Sequence, residues 1–214
     1  MKIKSFQGGF DKNFCYLLWC DETKFAAIVD PSVNITPVIE FIERSNLILS
    51  KILITHTHHD HILYLNEYIH LFPNIDVICH ESHIKKFEHY ITKITDYEII
   101  TLGQEILIAI HTPGHYIDSI CFWNKKDNCI FTGDTIFVGR TGRTVSNNSD
   151  IEDLYNSVYQ KILPLPSKTT IYPGHNYGFS KTITINENIA LSEFFSCKTF
   201  KEFKLVMHKF EASR

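Results

Sequence analysis

The chain has 214 residues, of which 44% are hydrophobic, and a formal net charge of −3. This length fits one domain with a substantial core, and the small net charge disfavours nucleic acid as a partner. No apolar run reaches the length of a membrane span, so we predict no membrane partner either.

The six cysteines are scattered along the chain and form no Cys-x-x-Cys pair. The N-terminal segment lacks the apolar run that follows the positive charges of a secretory signal. These two features predict reduced thiols and a cytoplasmic protein.

In the first half of the chain, short apolar runs alternate with segments of helical spacing. The predicted elements, in chain order, are strands Phe14–Trp19 and Phe25–Val29, helix Pro37–Arg44 capped by Thr36, strand Lys51–Ile54, helix Ile62–Phe72, strand Val77–Cys79 and helix Ser82–His89. A polar turn between the first two strands predicts a hairpin.

The second half repeats this pattern and ends in helix. The predicted elements are strands Glu105–Ile110, Ser119–Trp123 and Cys129–Phe131, helix Ile151–Ile162 with Asp150 as its N-cap, strand Thr170–Tyr172 and helix Thr199–Phe210. Strand runs in both halves, with helices between and after them, predict an α/β (α+β) fold in which helices enclose two sheets.

Four of the predicted strands run into loops that carry potential metal ligands. The candidates are His56, His58, Asp60 and His61 after the first of these strands, then His115, Asp134 and His175 after the other three. Because strand ends lie along one edge of a sheet, these loops are expected to converge.

Imidazole and carboxylate are the ligands that divalent transition metals prefer. Seven ligands are too many for one tetrahedral ion, and they suffice for two ions that share one carboxylate and a solvent molecule. A single histidine after a strand is usually a surface residue. The His-x-His-x-Asp-His string and three further ligands in similar contexts therefore carry the prediction of a metal site.

The ligand-bearing segments resemble the metallo-β-lactamase superfamily and, within it, the glyoxalase II branch. The likeness runs from about Phe14 to Tyr177. It rests on the segments Thr55-His56-Thr57-His58-His59-Asp60-His61, Thr112-Pro113-Gly114-His115, Phe131-Thr132-Gly133-Asp134 and Tyr172-Pro173-Gly174-His175-Asn176-Tyr177, and on the hairpin that ends in Val29-Asp30-Pro31. The resemblance implies a four-layer αββα sandwich formed by one domain over residues 1–214.

The resemblance also implies roles for the candidate ligands. It assigns one metal to His56, His58 and His115, a second metal to Asp60, His61 and His175, and the bridging position to Asp134. Asp60 and Asp134 would be the catalytic carboxylates that hold metal and nucleophile in place. Two divalent ions are expected, with zinc first and iron or manganese as alternatives.

Substrate contacts follow from the same likeness. Arg143 and Tyr177 lie where glyoxalase II contacts glutathione, whereas Val145 stands where that branch has a second tyrosine. The 39 residues after His175 (214 − 175) are fewer than a full glyoxalase II helical domain. We expect a metal-dependent hydrolase of a small anionic thioester.

Two other interpretations remain open at this stage. The Gly142-Arg143-Thr144 segment is also similar to persulfide dioxygenases, which would use one Fe(II) on His56, His115 and Asp134. A metal-binding scaffold without catalysis is disfavoured, because no ligand is missing. The sequence gives no prediction of oligomeric state.

Overall fold

The computed structural model describes residues 1–83, 85 and 87–213. Within these residues, twelve strands form two six-stranded sheets. The first sheet contains β1 (Lys2–Gly8), β2 (Asn13–Trp19), β3 (Phe25–Val29), β4 (Ile48–Leu53), β5 (Asp76–His80) and β6 (Ile91–Ile94). The second contains β7 (Ile99–Leu102), β8 (Glu105–His111), β9 (Ile120–Asn124), β10 (Cys129–Gly133), β11 (Thr170–Pro173) and β12 (Ile183–Thr184).

Both sheets are mixed. The first runs in the order β1 to β6, with β1, β2 and β3 antiparallel and β3 to β6 parallel neighbours. The second runs from β12 to β7, and its neighbours are antiparallel except for β10 and β11. As a result β8, β10 and β11 point in one direction, so their carboxyl ends share one edge.

Helices cover the outer face of each sheet. They are α1 (Thr36–Arg44), α2 (Leu65–Leu71), α3 (Ile151–Asn156), α4 (Ile185–Leu191) and α5 (Phe200–Ala212). Apolar side chains of α1 and α2 pack with the first sheet, those of α3, α4 and α5 pack with the second, and a third apolar cluster fills the space between the sheets. This confirms the predicted four-layer αββα sandwich.

Strand β2 shows how the sequence produces these layers. Side chains alternate across a strand, so Cys15 and Leu17 face α1 and α2 while Phe14, Tyr16 and Leu18 face the second sheet. All five are buried. A strand that is apolar on both faces fits only between two packed layers.

The predicted helix over Ser82–His89 is wrong for the residues that the structure describes. Ile84 and Lys86 lie outside the described residues, and the rest of this range adopts turns, bends and irregular backbone. The hydroxyl of Ser82 donates to the carbonyl oxygen of Ile117, 3.0 Å away, which ties the segment to another loop. Strand β6, absent from the prediction, follows directly and pairs with β5.

Other boundaries differ by less. Ile35, not Thr36, occupies the N-cap position of α1, and α2 begins at Leu65 rather than at Ile62. The predicted helix Ile151–Ile162 is α-helical to Asn156 and π-helical from there on. Asp150 caps it as predicted, accepting hydrogen bonds from two backbone N–H groups. No helix in the described part of the chain is both long and apolar enough to cross a bilayer.

Candidate metal centre

The seven predicted ligands meet where strand ends of the two sheets face each other. The first sheet supplies the loop after β4, which contains a single 3-10 turn at His59–His61. The second sheet supplies the loops after β8, β10 and β11. Convergence follows from the shared direction of these strands in their sheets.

The first group of ligand atoms comes from three histidines. His56 Nε2 lies 3.0 Å from His58 Nδ1, and His115 Nε2 lies 3.1 Å from the same atom. The facing ring nitrogens of His56, His58 and His115 are all within 4.8 Å of one another. His58 therefore presents Nδ1 to the group, whereas the other two present Nε2.

The second group contains one carboxylate and two imidazoles. His61 Nε2 lies 3.2 Å from His175 Nε2. Asp60 Oδ2 lies 3.4 Å from His175 Nε2 and 3.6 Å from His61 Nε2. These three atoms also fall within 4.8 Å of one another.

Asp134 stands between the two groups. Its Oδ2 lies 3.6 Å from His115 Nε2 of the first group and 3.4 Å from His175 Nε2 of the second, while its Oδ1 lies 3.2 Å from His61 Nε2. Oδ1 is buried, and none of the described residues gives it a well-formed hydrogen bond. A buried carboxylate oxygen in this position needs a cation or a water partner.

Outer partners fix the ring orientation of the histidines. His61 Nδ1 contacts Asp30 Oδ2 at 2.8 Å, His115 Nδ1 contacts the Arg143 carbonyl oxygen at 2.9 Å, and His175 Nδ1 contacts the Asp11 carbonyl oxygen at 2.8 Å. A proton on each Nδ1 leaves Nε2 as a free lone pair toward the interior. Metal-ligating histidines are oriented in this way, so the donor set fits divalent ions.

Glycine is required at position 174 by a close approach. A Cβ atom on Gly174 would lie 2.4 Å from Asp134 Oδ1 and 2.7 Å from His61 Cε1. Real Cβ atoms do not approach other atoms so closely. The Pro173-Gly174 turn therefore lets the β11 loop pass directly over the two groups.

Burial keeps three imidazoles neutral. It lowers the pKa of His56 well below its ordinary value, lowers that of His58 to about 4, and lowers that of His115. The neutral form is the one that binds a metal. This group is therefore ready for a cation near neutral pH without releasing protons.

The second group behaves in the opposite way. Although burial opposes the charged form, Asp134 raises the pKa of His175 to about 9, and Asp134 and Asp30 raise that of His61. Burial alone would raise the pKa values of Asp134 and Asp60, and contacts with His175 and His61 hold both below their usual range. Both carboxylates are thus ionised, and a bound cation would displace the protons that these imidazoles hold.

Sequence reasoning missed the residues that support the ligand loop of the first sheet. Asp30 accepts hydrogen bonds from the Thr55 backbone N–H at 2.7 Å and from the Thr55 hydroxyl at 2.6 Å, besides its contact with His61. Asp30 adopts a φ of +53°, a conformation that few non-glycine residues adopt. Its position directly after β3, in the Val29-Asp30-Pro31 segment, was the available signal.

Two further supports gave no sequence signal. The Asn13 side-chain amide donates to Asp60 Oδ2 at 2.7 Å and is fully buried. Asp118 accepts from the Thr57 backbone N–H at 3.2 Å and from the Thr57 hydroxyl at 2.5 Å. Both contacts join segments that are far apart in the chain.

The predicted substrate residues line two adjoining cavities that open onto Asp134. The larger has a volume of about 340 Å³ and is bounded by Lys12, Arg140, Arg143, Tyr177, His115 and Asp134 among others. The smaller, about 270 Å³, adds Phe10, His58 and Val145. The structure thus places Arg143 and Tyr177 beside the two groups of candidate ligands.

Tyr177 and Arg143 differ in how firmly they are held. Tyr177 donates its hydroxyl hydrogen to Asp11 Oδ2 at 2.5 Å, and its ring stacks on that of His175 with centroids 4.7 Å apart. The Arg140 guanidinium lies over the Tyr177 ring, 4.3 Å from its centroid. Arg143 is exposed on the cavity rim.

Among curated proteins, the chain is similar to hydroxyacylglutathione hydrolases. It is 35% identical over 185 residues to the probable hydroxyacylglutathione hydrolase glo2 of Schizosaccharomyces pombe, covering 82% of this chain and 70% of that protein. It is 34% identical over 167 residues to the hydroxyacylglutathione hydrolase of Francisella tularensis subsp. novicida, covering 78% of this chain. The chain spans 64% of the length of that second relative.

Solved structures share the fold. ETHE1 from Myxococcus xanthus superposes with a TM-score of 0.87 at 24% identity, covering 98% of this chain and 91% of that one. The BLEG-1 B3 metallo-beta-lactamase superposes with a TM-score of 0.80 at 27% identity, covering 92% of this chain and 100% of that one. Residues 8–175 match the family described as the Metallo-beta-lactamase superfamily. This chain therefore belongs to the metallo-beta-lactamase superfamily.

Proposed function

We propose that this chain is a thioester hydrolase of the glyoxalase II type that works with two divalent metal ions. The observation that carries the proposal is the position of Asp134 between two complete groups of ligand atoms. The relatives named hydroxyacylglutathione hydrolases, at 34–35% identity, support the reaction class.

The two groups support a division of the ligands between two ions. In the proposal, one ion would be held by His56, His58 and His115, and the other by Asp60, His61 and His175, with Asp134 between the two groups. Divalent ions held there would lower the pKa of a water molecule to near neutrality and polarise a carbonyl oxygen. Zinc suits this mixture of imidazole and carboxylate, and iron and manganese also accept it.

The chain's own residues fix the geometry for attack on a thioester carbonyl. Asp134 and Asp60 remain ionised, and Oδ2 of each lies 3.4 Å from His175 Nε2. The Asn13 amide anchors Asp60, and Asp30 anchors His61. The leaving thiolate has a pKa near 8.5, so departure requires no strong general acid, and none of the described residues beside Asp134 is needed for that role.

The cavity rim supports an anionic substrate. Lys12, Arg140 and Arg143 bring three cationic side chains to the larger cavity, against the two carboxylates of Asp11 and Asp134. Arginine binds carboxylates with two parallel hydrogen bonds. A thioester of a carboxylate-bearing thiol, such as glutathione, fits this distribution of charge.

The proposal is tested with protein purified without added metal and then loaded with zinc, manganese or iron. We expect about two ions per chain, hydrolysis of a hydroxyacylglutathione, and slower turnover of an uncharged thioester. Arg143→Ala should raise KM for the anionic thioester by about tenfold and raise it less for the uncharged one. Loaded protein that hydrolyses neither thioester would contradict the proposal.

The same measurements address the dioxygenase alternative. A single ferrous ion on His56, His115 and Asp134 would leave Asp60, His61 and His175 gathered within 4.8 Å without a use, so we favour two ions. One iron per chain, together with oxygen uptake on a thiol persulfide, would reverse that preference.

The state of the thiols bears on location. Five of the six cysteines are buried and all six are unpaired. Buried free thiols are typical of reducing compartments, which supports the proposed cytoplasmic location. Fractionation of cells that express the chain would test it directly.

A further inference from the structure

We infer that helix α5 acts as a positioning element for the metal centre, and that Glu211 orients His115 and Arg143 through the peptide group between Arg143 and Thr144. The inference deepens the proposed function and rests on it for the roles of His115 and Arg143. Helix α5 lies outside residues 8–175, the part of the chain that matches the superfamily.

One face of α5 contacts the loop that follows β10. Met207, Phe210 and Glu211 are spaced three and four residues apart, so they share a helical face. The Thr141 hydroxyl donates to Met207 Sδ at 3.2 Å, and the Arg140 guanidinium lies 5.1 Å from the Phe210 ring centroid. Met207 and Phe210 on this face therefore contact Thr141 and Arg140 of the 140–144 loop.

The third contact is the strongest and the most specific. Glu211 Oε1 accepts hydrogen bonds from the Thr144 backbone N–H at 2.6 Å and from the Thr144 hydroxyl at 3.0 Å. Hydrogen bonds to a carboxylate are shorter and stronger than neutral ones. Two of them on one oxygen fix the backbone at Thr144 as well as its side chain.

The same peptide group contacts the metal centre on its other side. The N–H that donates to Glu211 belongs to the peptide bond whose carbonyl oxygen is that of Arg143, and this oxygen accepts from His115 Nδ1 at 2.9 Å. The peptide group is planar, so fixing its N–H also fixes the direction of its C=O. Glu211 thereby sets the proton position and the ring orientation of His115.

Close packing transmits any displacement of this loop. A Cβ atom on Gly142 would lie 2.0 Å from the Asp134 carbonyl oxygen and 2.9 Å from His115 Nδ1. The backbone just before Arg143 is therefore in direct contact with both residues. A loop released from Glu211 would move against His115 and would also carry the Arg143 side chain away from the cavity rim.

The experiment compares Glu211→Ala, Glu211→Gln and the control Lys209→Ala in the full chain. Lys209 is exposed and lies on the same part of α5. The first readout is the affinity of the metal-free protein for Zn²⁺, measured by competition with a chromophoric chelator. It does not depend on any activity, so it remains informative if the native protein hydrolyses no thioester.

We expect Glu211→Ala to bind Zn²⁺ about tenfold more weakly, since removing an outer partner of a metal ligand has effects of this size. Glu211→Gln keeps an oxygen acceptor for both Thr144 donors, so it should recover most of the affinity. Lys209→Ala should match the native chain. Native-like affinity in a folded Glu211→Ala protein would overturn the inference.

The second readout is a double-mutant cycle with Arg143→Ala on the anionic thioester. If Glu211 acts through the Arg143 loop, Glu211→Ala raises KM in the native background and adds little once Arg143 is gone. A role limited to general stability would lower the melting temperature and give additive effects on KM. Additive effects would therefore overturn the assignment of Glu211 to substrate positioning.

Discussion

The candidate ligands of the first sheet and those of the second are held in different ways. In the first sheet, side-chain carboxylates support the ligand loop: Asp30 holds His61 and Asp118 holds Thr57. In the second sheet, backbone carbonyl oxygens hold His115 and His175. A side-chain support can be removed by one substitution, whereas a backbone support depends on the conformation of a whole loop.

The largest expected effect comes from removing the support that three hydrogen bonds share. Asp30→Ala leaves the Thr55 N–H, the Thr55 hydroxyl and His61 Nδ1 without their partner in a buried site. We expect a loss of about 3 kcal/mol in the free energy of unfolding and metal affinity lower by ten- to a hundredfold. Chemical denaturation and chelator competition measure the two quantities.

Asp11→Ala is the matched control for this substitution. The substitution removes the acceptor of the Tyr177 hydroxyl, and the Asp11 carbonyl oxygen stays as the partner of His175 Nδ1. Metal affinity should therefore remain near that of the native chain. Equal losses from Asp11→Ala and Asp30→Ala would contradict the distinction between the two kinds of support.

The next effect tests the tight passage of the second-sheet loop. Gly174→Ala places a Cβ atom 2.4 Å from Asp134 Oδ1, so either the loop or the carboxylate has to move. We expect metal affinity to fall by about tenfold. Gly8→Ala is the control, because its Cβ would meet Val33 at an ordinary 3.4 Å. Similar metal affinities in the two variants would show that the loop accommodates a Cβ atom at position 174 without displacing Asp134.

A smaller effect is expected at the second carboxylate support. In the native chain, the two carboxylate oxygens of Asp118 accept from the backbone N–H and the hydroxyl of Thr57. Asp118→Asn keeps one of these oxygens as an acceptor and removes the negative charge. The free energy of unfolding should fall by about 1 kcal/mol, less than for Asp30→Ala. Thermal unfolding of the two variants side by side measures which is less stable. A larger loss for Asp118→Asn than for Asp30→Ala would contradict this prediction.

The last effect is confined to acidic pH and concerns the place where the two regions meet. His80 at the end of β5 stacks on His111 at the end of β8, with ring centroids 3.6 Å apart. Burial, and then the charge of His111, lowers the pKa of His80 to about 4. The unfolded chain, with a pKa near 6.5, binds the proton more tightly. The contribution of His80 to the free energy of unfolding is therefore fully present above pH 6.5 and is lost as the pH falls through 4.

Replacing His80 by glutamine removes that titration. Over the range from pH 6.5 to 4, the free energy of unfolding of the variant should fall less than that of the native chain. Denaturation midpoints at a series of pH values measure the difference. Identical pH profiles would show that His80 does not contribute.

The sequence was most informative where the residue type itself carries the chemistry. All seven candidate ligands could be named because histidine and aspartate follow four apolar strands, and their convergence follows from strand direction. The supports could not be named in this way. Asp30 and His61 are 31 residues apart, Asn13 and Asp60 are 47 apart, and Thr144 and Glu211 are 67 apart.

Secondary structure was predicted best in the buried strands. Strand β1 was missed because its lysines and exposed positions give it the polar pattern of an edge strand, and β12 was missed because it has only two residues. The segment after His80 has helical spacing, yet Ser82 is bound to Ile117 across the fold. Tertiary contacts of this kind override local propensity.

The division of ligands between the sheets gives any bound ion a second role. Each group joins both sheets, since His56 and His58 face His115 while Asp60 and His61 face His175. An ion in either group would cross-link the two halves of the chain. Ligands that bind only the folded state stabilise it by mass action, so the melting temperature should rise with metal concentration and fall when a chelator is added.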